Sequence, residues 1–129
     1  MKPKVIVTRD IPDEVELRLK EHFQVSFNRE DKVFSNDILR KAMESADGIV
    51  CTVTDSITDE LLTLPKKKVK IIANIGVGVD HIDLKSAKEN KVIITNTPDV
   101  LTESTVDVAT LLLLSVTRNA FLVEKMLRQ

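Results

Sequence analysis

Residues Ile71–Asp83 read IIANIGVGVDHID, and how this stretch is parsed decides the fold. An apolar run rich in β-branched residues, Val69 to Ile75, stops at Gly76-Val77-Gly78, and Asp80, His81 and Asp83 follow at once. The run has the length and composition of a buried strand. The glycines mark a turn, and Asp83 suits the N-cap of a helix through Glu89, with Asn90 at its C-terminal turn. In an open α/β sheet, ligands sit at turns of this kind, outside the carboxyl ends of the strands. Two residues without a Cβ let the backbone come close to a small anion, which its N–H groups then hold as a nest.

Working outward, the rest of the chain alternates strand and helix around this turn. Lys4 to Thr8 (KVIVT) is a short apolar run and a strand. Pro12 stands in the first turn of a helix whose apolar face is Val15, Leu19 and Phe23. Phe23 to Phe27 alternates with period two, as a strand covered on one face does. Ser35 caps a helix carrying Ile38, Leu39, Ala42 and Met43, and Gly48 to Val53 is a third strand. Thr58 caps a short helix ended by Pro65, and Lys91 to Thr95 makes a strand after the glycine turn. The connections are too long for hairpins, so the expected architecture is α/β: a doubly wound, flavodoxin-like five-stranded parallel sheet of order 2-1-3-4-5.

Thr102 opens a last helix, with Glu103 in its first turn, that the pattern carries to Leu127, about 39 Å at 1.5 Å per residue. Its apolar residues, from Val106 through Leu111–Leu114 to Phe121 and Val123, cover nearly all its faces. Such a helix needs burial on more than one side, which predicts a partner surface. The expected organisation is a domain over residues 1–100 followed by a long C-terminal interdomain helix over 101–129.

Composition bounds the function. A chain of 129 residues, 43% hydrophobic and 30% charged, has the balance of one folded domain. A net charge of −1 gives no electrostatic reason to expect nucleic acid or an anionic membrane as a partner. The absence of Trp and Tyr removes most stacking platforms for single-stranded nucleic acid. Cys51 is the single cysteine, so no internal disulfide forms, which is compatible with a cytoplasmic setting. No signal peptide is visible, and the apolar run Ala109–Val116 is too short to cross a bilayer.

The motif inventory is mostly exclusions. A dinucleotide fingerprint needs Gly-x-Gly-x-x-Gly, but the third glycine position after Gly76 and Gly78 holds His81. There is no Gly-Lys-Ser/Thr phosphate loop. His22 and His81 are the only histidines and lie in different neighbourhoods, so neither a catalytic set nor a metal site is expected. A phosphoacceptor receiver lacks its acidic pair here although Asp10 and Asp55 are loosely placed, and Thr8–Pro12 supplies no flavin phosphate loop.

Two segments carry a family resemblance: Asn74–Asp83 (NIGVGVDHID) and, about twelve residues on, Thr95–Asp107 (TNTPDVLTESTVD). The chain resembles the NAD(P)-dependent D-2-hydroxyacid dehydrogenases, nearest their glyoxylate/hydroxypyruvate reductases, from its first strand through its last helix. The resemblance implies a substrate-binding lobe that leads into an NAD(P)-binding lobe. It implies that main-chain N–H groups of Val77 and Gly78 grip the carboxylate of a small 2-oxo or 2-hydroxy acid, supported by Gly76. Val53, with Thr52 and Thr54 beside it, makes an apolar contact to substrate. Thr105 meets the cofactor, NAD or NADP, although an ordinary helix threonine bonds to the preceding turn. Asn96 and Pro98 lie in the hinge.

The family's Arg and its His–Glu pair have no counterpart in these residues, nor has its glycine-rich cofactor loop. His81, standing where the family often has Asn, is not that catalytic His. The chain by itself is therefore expected to have no catalytic residues, no activity and no bound cofactor. Its apolar last helix is expected to make a homodimer, packed against or swapped into a second copy. The alternative reading is a stand-alone flavodoxin-like binding or scaffold module without chemistry.

Overall fold

The computed structural model describes residues 1–128 and divides them into two compact units, Met1–Thr97 and the segment from Pro98 onward. The first unit contains β1 (Lys4–Val7), α1 (Asp13–His22), β2 (Gln24–Phe27), α2 (Asn36–Ser45), β3 (Gly48–Thr52), α3 (Asp59–Leu62), β4 (Ile71–Ile75), α4 (Leu84–Glu89) and β5 (Ile93–Thr95). The strands form one sheet of order β2-β1-β3-β4-β5, parallel throughout. Helices cover both faces, so the flavodoxin-like α/β architecture read from the sequence is the one observed.

Period-two alternation divides the apolar residues between the faces. Ile49 and Cys51 of β3 and Ile72 of β4 join Leu39, Ala42 and Met43 of α2, Leu61 and Leu62 of α3 and Ala87 of α4 in the main core. Val5 and Val7 of β1 point the other way, with Ile11, towards Leu19 and Phe23 of α1 and Val25 and Phe27 of β2. The register aligns Ile49 with Ile72 and Cys51 with Asn74, so an amide stands in a row that is otherwise apolar.

Two of the predicted caps hold their helices as expected. Ser35 accepts from the N–H of Ile38 at 3.4 Å, and Asp83 Oδ1 accepts from the N–H of Ser86 at 2.9 Å. Thr58 is the N-cap of α3, but its side chain makes no capping bond. The face of α1 differs from expectation, because Val15 is exposed and Glu16 is buried. Glu16 pairs with Arg29 at 2.5 Å and with Lys20 at 3.1 Å, and both cations also lie over the Phe27 ring. Positions 16, 19 and 23 therefore face the sheet, a spacing as helical as 15, 19 and 23.

The second unit holds the long C-terminal helical segment, broken where a continuous helix was expected. α5 (Thr102–Thr117) and α6 (Ala120–Leu127) bend by 68° at Arg118–Asn119. Asn119 adopts the left-handed conformation (φ 51°, ψ 39°), which Asn tolerates better than most residues. Thr117 Oγ1 donates to the carbonyls of Leu113 and Leu114, and the Asn119 carbonyl starts the next helix by accepting from Leu122 and Val123. Neither helix buries a residue within the chain. Among the described residues no single helix is long and apolar enough to cross a membrane. α5 and α6 meet the length and composition only as a bent pair.

Candidate functional site at the carboxyl edge of the sheet

The carboxyl ends of β3 and β4 lie side by side, Thr52 being in register with Ile75. The two chains that leave them form the site. From β3 come Thr52, Val53 and Thr54. From β4 come Gly76, Val77 and Gly78, then the segment to Asp83. The loops are tied together beyond the sheet, since Ile57 N–H donates to the His81 carbonyl and Asp83 N–H to the Ile57 carbonyl, each at 2.9 Å.

Neither glycine has a positive φ, so the turn is not the alternating right- and left-handed form of anion nest. Sterics explain Gly76 instead. A Cβ there would stand 3.1 Å from Val53 Cγ1 and 3.3 Å from Asn74 Nδ2, closer than packed atoms ordinarily approach. At Gly78 the nearest such neighbour is Asp80 Oδ2 at 3.9 Å, so that side of the turn is open. Among the described residues, the main-chain N–H groups of Val77 and Gly78 donate to nothing in the chain. The N–H groups of Val79, Asp80 and His81 are likewise without an acceptor there.

The carbonyls of the same turn are all held. Asn74, 2% exposed, donates from Nδ2 to the Gly78 carbonyl at 2.8 Å and more weakly to the Gly76 carbonyl at 3.3 Å. Its Oδ1 is thereby left to accept, and His81 Nε2 stands 3.1 Å from it as donor. Asn96 Nδ2 donates to the Val77 carbonyl at 2.8 Å, and Thr97 N–H to the Gly76 carbonyl at 3.0 Å. With its carbonyls fixed, the turn presents the Val77 and Gly78 N–H groups on a rigid frame. Val53 is 61% exposed and leans over Gly76, and beside it the hydroxyls of Thr52 and Thr54 are 2.9 Å apart.

The structure thus brings Thr52, Val53, Gly76, Val77, Gly78 and Asn96 together within one unit. Pro98 opens the second unit, which also holds Thr105, whose Oγ1 donates to the Leu101 carbonyl at 2.7 Å. That is the ordinary bond of a helix threonine and leaves the hydroxyl oxygen only an accepting role. The three glycines, Gly48, Gly76 and Gly78, all occupy strand or turn positions of the sheet and its carboxyl edge. Among the described residues no group of three or more His, Cys, Asp or Glu is arranged to hold a metal ion.

Sequence reasoning missed two residues of this region. Asn74 stands out in the sequence only as part of a motif. Its signal is a polar side chain on the core-facing register of a strand, two positions before the first glycine of the turn. Asp55, 1% exposed, accepts at Oδ2 from Thr8 Oγ1 and from the Thr52 N–H. Near it, Cys51 is fully buried, and that burial, aided by the charge of Asp55, pushes its thiol up to about 12. This cysteine is a core residue and no nucleophile.

Comparison with known proteins follows the same outline. A profile of the family described as D-isomer specific 2-hydroxyacid dehydrogenase, catalytic domain, matches residues 5–126. A glyoxylate reductase of Thermococcus onnurineus is 38% identical over 128 residues, covering 99% of this chain and 38% of that protein. A Thermus thermophilus protein of solved structure is 40% identical, with a TM-score of 0.77, covering 92% of this chain and 38% of that one. An NADPH-dependent glyoxylate/hydroxypyruvate reductase from Sinorhizobium meliloti, in complex with NADP and malonate, is 31% identical with a TM-score of 0.64. That match covers 89% of this chain and 34% of the other. The chain thus spans less than two fifths of the length of these relatives.

Proposed function

Because the chain belongs to the D-isomer specific 2-hydroxyacid dehydrogenase family, we propose that it serves as the substrate-binding lobe of an NAD(P)-dependent oxidoreductase acting on a small 2-oxo acid of the glyoxylate/hydroxypyruvate class. Residues 1–100 form the lobe, and 101–129 the helical segment joining it to a cofactor-binding lobe, with Asn96 and Pro98 in the hinge. The observation that carries this reading is the pair of undonated N–H groups at Val77 and Gly78, on a turn whose carbonyls are held by Asn74, Asn96 and Thr97.

The carboxylate is held by those two N–H groups, while Val53 covers the apolar side of the substrate and Thr52 and Gly76 set its position. A carboxylate accepting two backbone N–H bonds is a charge-assisted contact, the stronger kind. No Lys or Arg lies between Ile71 and Leu84, whereas Asp80 and Asp83 do, so the turn offers an anion backbone donors and no cationic side chain of its own. NAD or NADP is the cofactor of the whole enzyme, supplying hydride. Of this chain's residues Thr105 would meet it. The 129-residue chain on its own turns over no substrate, and its setting is the cytoplasm.

A titration with glyoxylate, followed through backbone amide shifts, tests the site. Val77 and Gly78 should move first and saturate in the millimolar range. If both stay still while glyoxylate reaches saturating levels, the assignment is wrong. The exposed apolar residues of α5 and α6, among them Leu111, Leu113, Val116 and Phe121, support a homodimer formed through this segment. Light scattering should give twice the chain mass at micromolar concentration, and a monomer there refutes the dimer.

A further inference from the structure

We propose that Asp55 is a positioning residue of this site: its buried carboxylate fixes Thr52, and so holds the Thr52–Thr54 loop that places Val53 over the glycine turn. The inference deepens the carboxylate-binding reading and rests on it.

Asp55 lies just past the end of β3 and grips Thr52 from both sides. Its Oδ2 accepts from the Thr52 N–H at 2.9 Å, and its own N–H donates to the Thr52 carbonyl at 3.0 Å. The same Oδ2 accepts from Thr8 Oγ1 at 2.5 Å. Thr8 is fully buried just past β1, and its N–H donates to the Val50 carbonyl at 3.0 Å. Asp55 therefore ties the departing loop to the neighbouring strand as well as to its own. The residue after Thr52 is Val53, whose Cγ1 limits what can stand at Gly76. The contacts run Thr8, Asp55, Thr52, Val53, Gly76, from the carboxyl end of β1 to the turn that carries the anion donors.

The chemistry of the residue argues that this is more than packing. Asp55 Oδ1 is buried and, among the described residues, has no hydrogen-bond partner. A buried carboxylate is costly unless both oxygens are paired, and an apolar side chain of similar size would fill the same space without that penalty. What an apolar side chain cannot do is accept from two donors at one point. That joint acceptance fixes the geometry of Thr52.

The test uses the 129-residue chain with malonate as the probe, and compares Asp55→Ala, Asp55→Asn and Thr8→Val. Asn keeps an acceptor oxygen for both donors, so it separates the geometric role from the charge. In Asp55→Ala the amides of Thr52, Val53 and Thr54 should shift and lose order in 15N relaxation, and the malonate Kd should rise at least about fivefold. Asp55→Asn should restore loop order and bring the Kd within about twofold of the parent. Thr8→Val, which removes one donor, should loosen the same three residues to a lesser degree. Unchanged loop order and Kd in Asp55→Ala overturn the proposal, as does an Asp55→Asn variant as loose as Asp55→Ala. If Asp55→Ala does not fold, a Thr8→Val variant with an undisturbed Thr52–Thr54 loop overturns it instead. Should malonate leave Val77 and Gly78 still in the parent chain, the carboxylate reading fails, and loop order alone still decides the role of Asp55.

Discussion

Alanine at Gly76 and alanine at Gly78 should separate what the turn needs for folding from what it needs for binding. Both glycines have φ values open to L residues, so each substitution gains about 0.4–1 kcal/mol by restricting the unfolded chain. At Gly76 the new methyl meets Val53 Cγ1 at 3.1 Å and Asn74 Nδ2 at 3.3 Å. Val53 is largely exposed and can swing away, but Asn74 is buried and fixed by its bonds to the turn. Overpacking of this kind costs about 1–3 kcal/mol. Gly76→Ala should thus end between neutral and about 2.5 kcal/mol less stable than the parent. Gly78→Ala meets nothing closer than 3.9 Å and should be as stable as the parent or slightly more so. Its methyl nevertheless stands on the open side of the turn, beside the Gly78 N–H, and should weaken malonate binding several-fold. Urea unfolding gives the stabilities and an amide-shift titration gives the affinities. A Gly76→Ala chain more stable than Gly78→Ala, or a Gly78→Ala chain that binds malonate like the parent, would refute this account of the glycines.

Three further outcomes follow from the same structure. Asn74→Ala removes the donor to the Gly76 and Gly78 carbonyls and leaves His81 without its acceptor, which should cost about 1–3 kcal/mol in urea unfolding and shift the amides of Gly76–Asp80. The hydrogen bonds from Arg29, ahead of those from Lys20, hold the Glu16 carboxyl below its ordinary range against the opposing effect of burial. With the folded pKa depressed, this stabilisation is full above the ordinary Glu range and is lost as pH falls through the lowered folded value, so a Glu16→Gln chain should show a flatter acid limb in Tm against pH. Cys51, buried and with its thiol pushed up to about 12, should resist a disulfide reagent at pH 8 in the native chain and react once urea unfolds it. Rapid native labelling would contradict that burial.

Strand order, caps and the place of the glycine turn were legible in the sequence because each follows a local rule. Alternating runs, Ser35, Asp83 and the long connections leave few other arrangements. The face of α1 was not legible, since the main partner of the buried Glu16 is Arg29, thirteen residues away and beyond β2. Periodicity sees hydrophobicity, and an ion pair that buries a carboxylate is invisible to it. The break at Asn119 was hidden for a related reason. One residue in the left-handed region ends α5, and no glycine or proline announces it inside an apolar pattern. In the site, the glycines were conspicuous while Asn74 and Asp55 were not. Each acts through tertiary partners, Thr8 lying 47 positions from Asp55 and His81 seven from Asn74.

In the proposed function the Val77 and Gly78 N–H groups recognise a carboxylate as such. The most direct measurement titrates the 129-residue chain with malonate and, in parallel, with malonamide, which has the same skeleton and no charge, while amide proton shifts are followed. Saturable downfield shifts of Val77 and Gly78 are expected with malonate, and none of comparable size with malonamide. Equal responses to both ligands, or a malonate response confined to residues elsewhere, would contradict it.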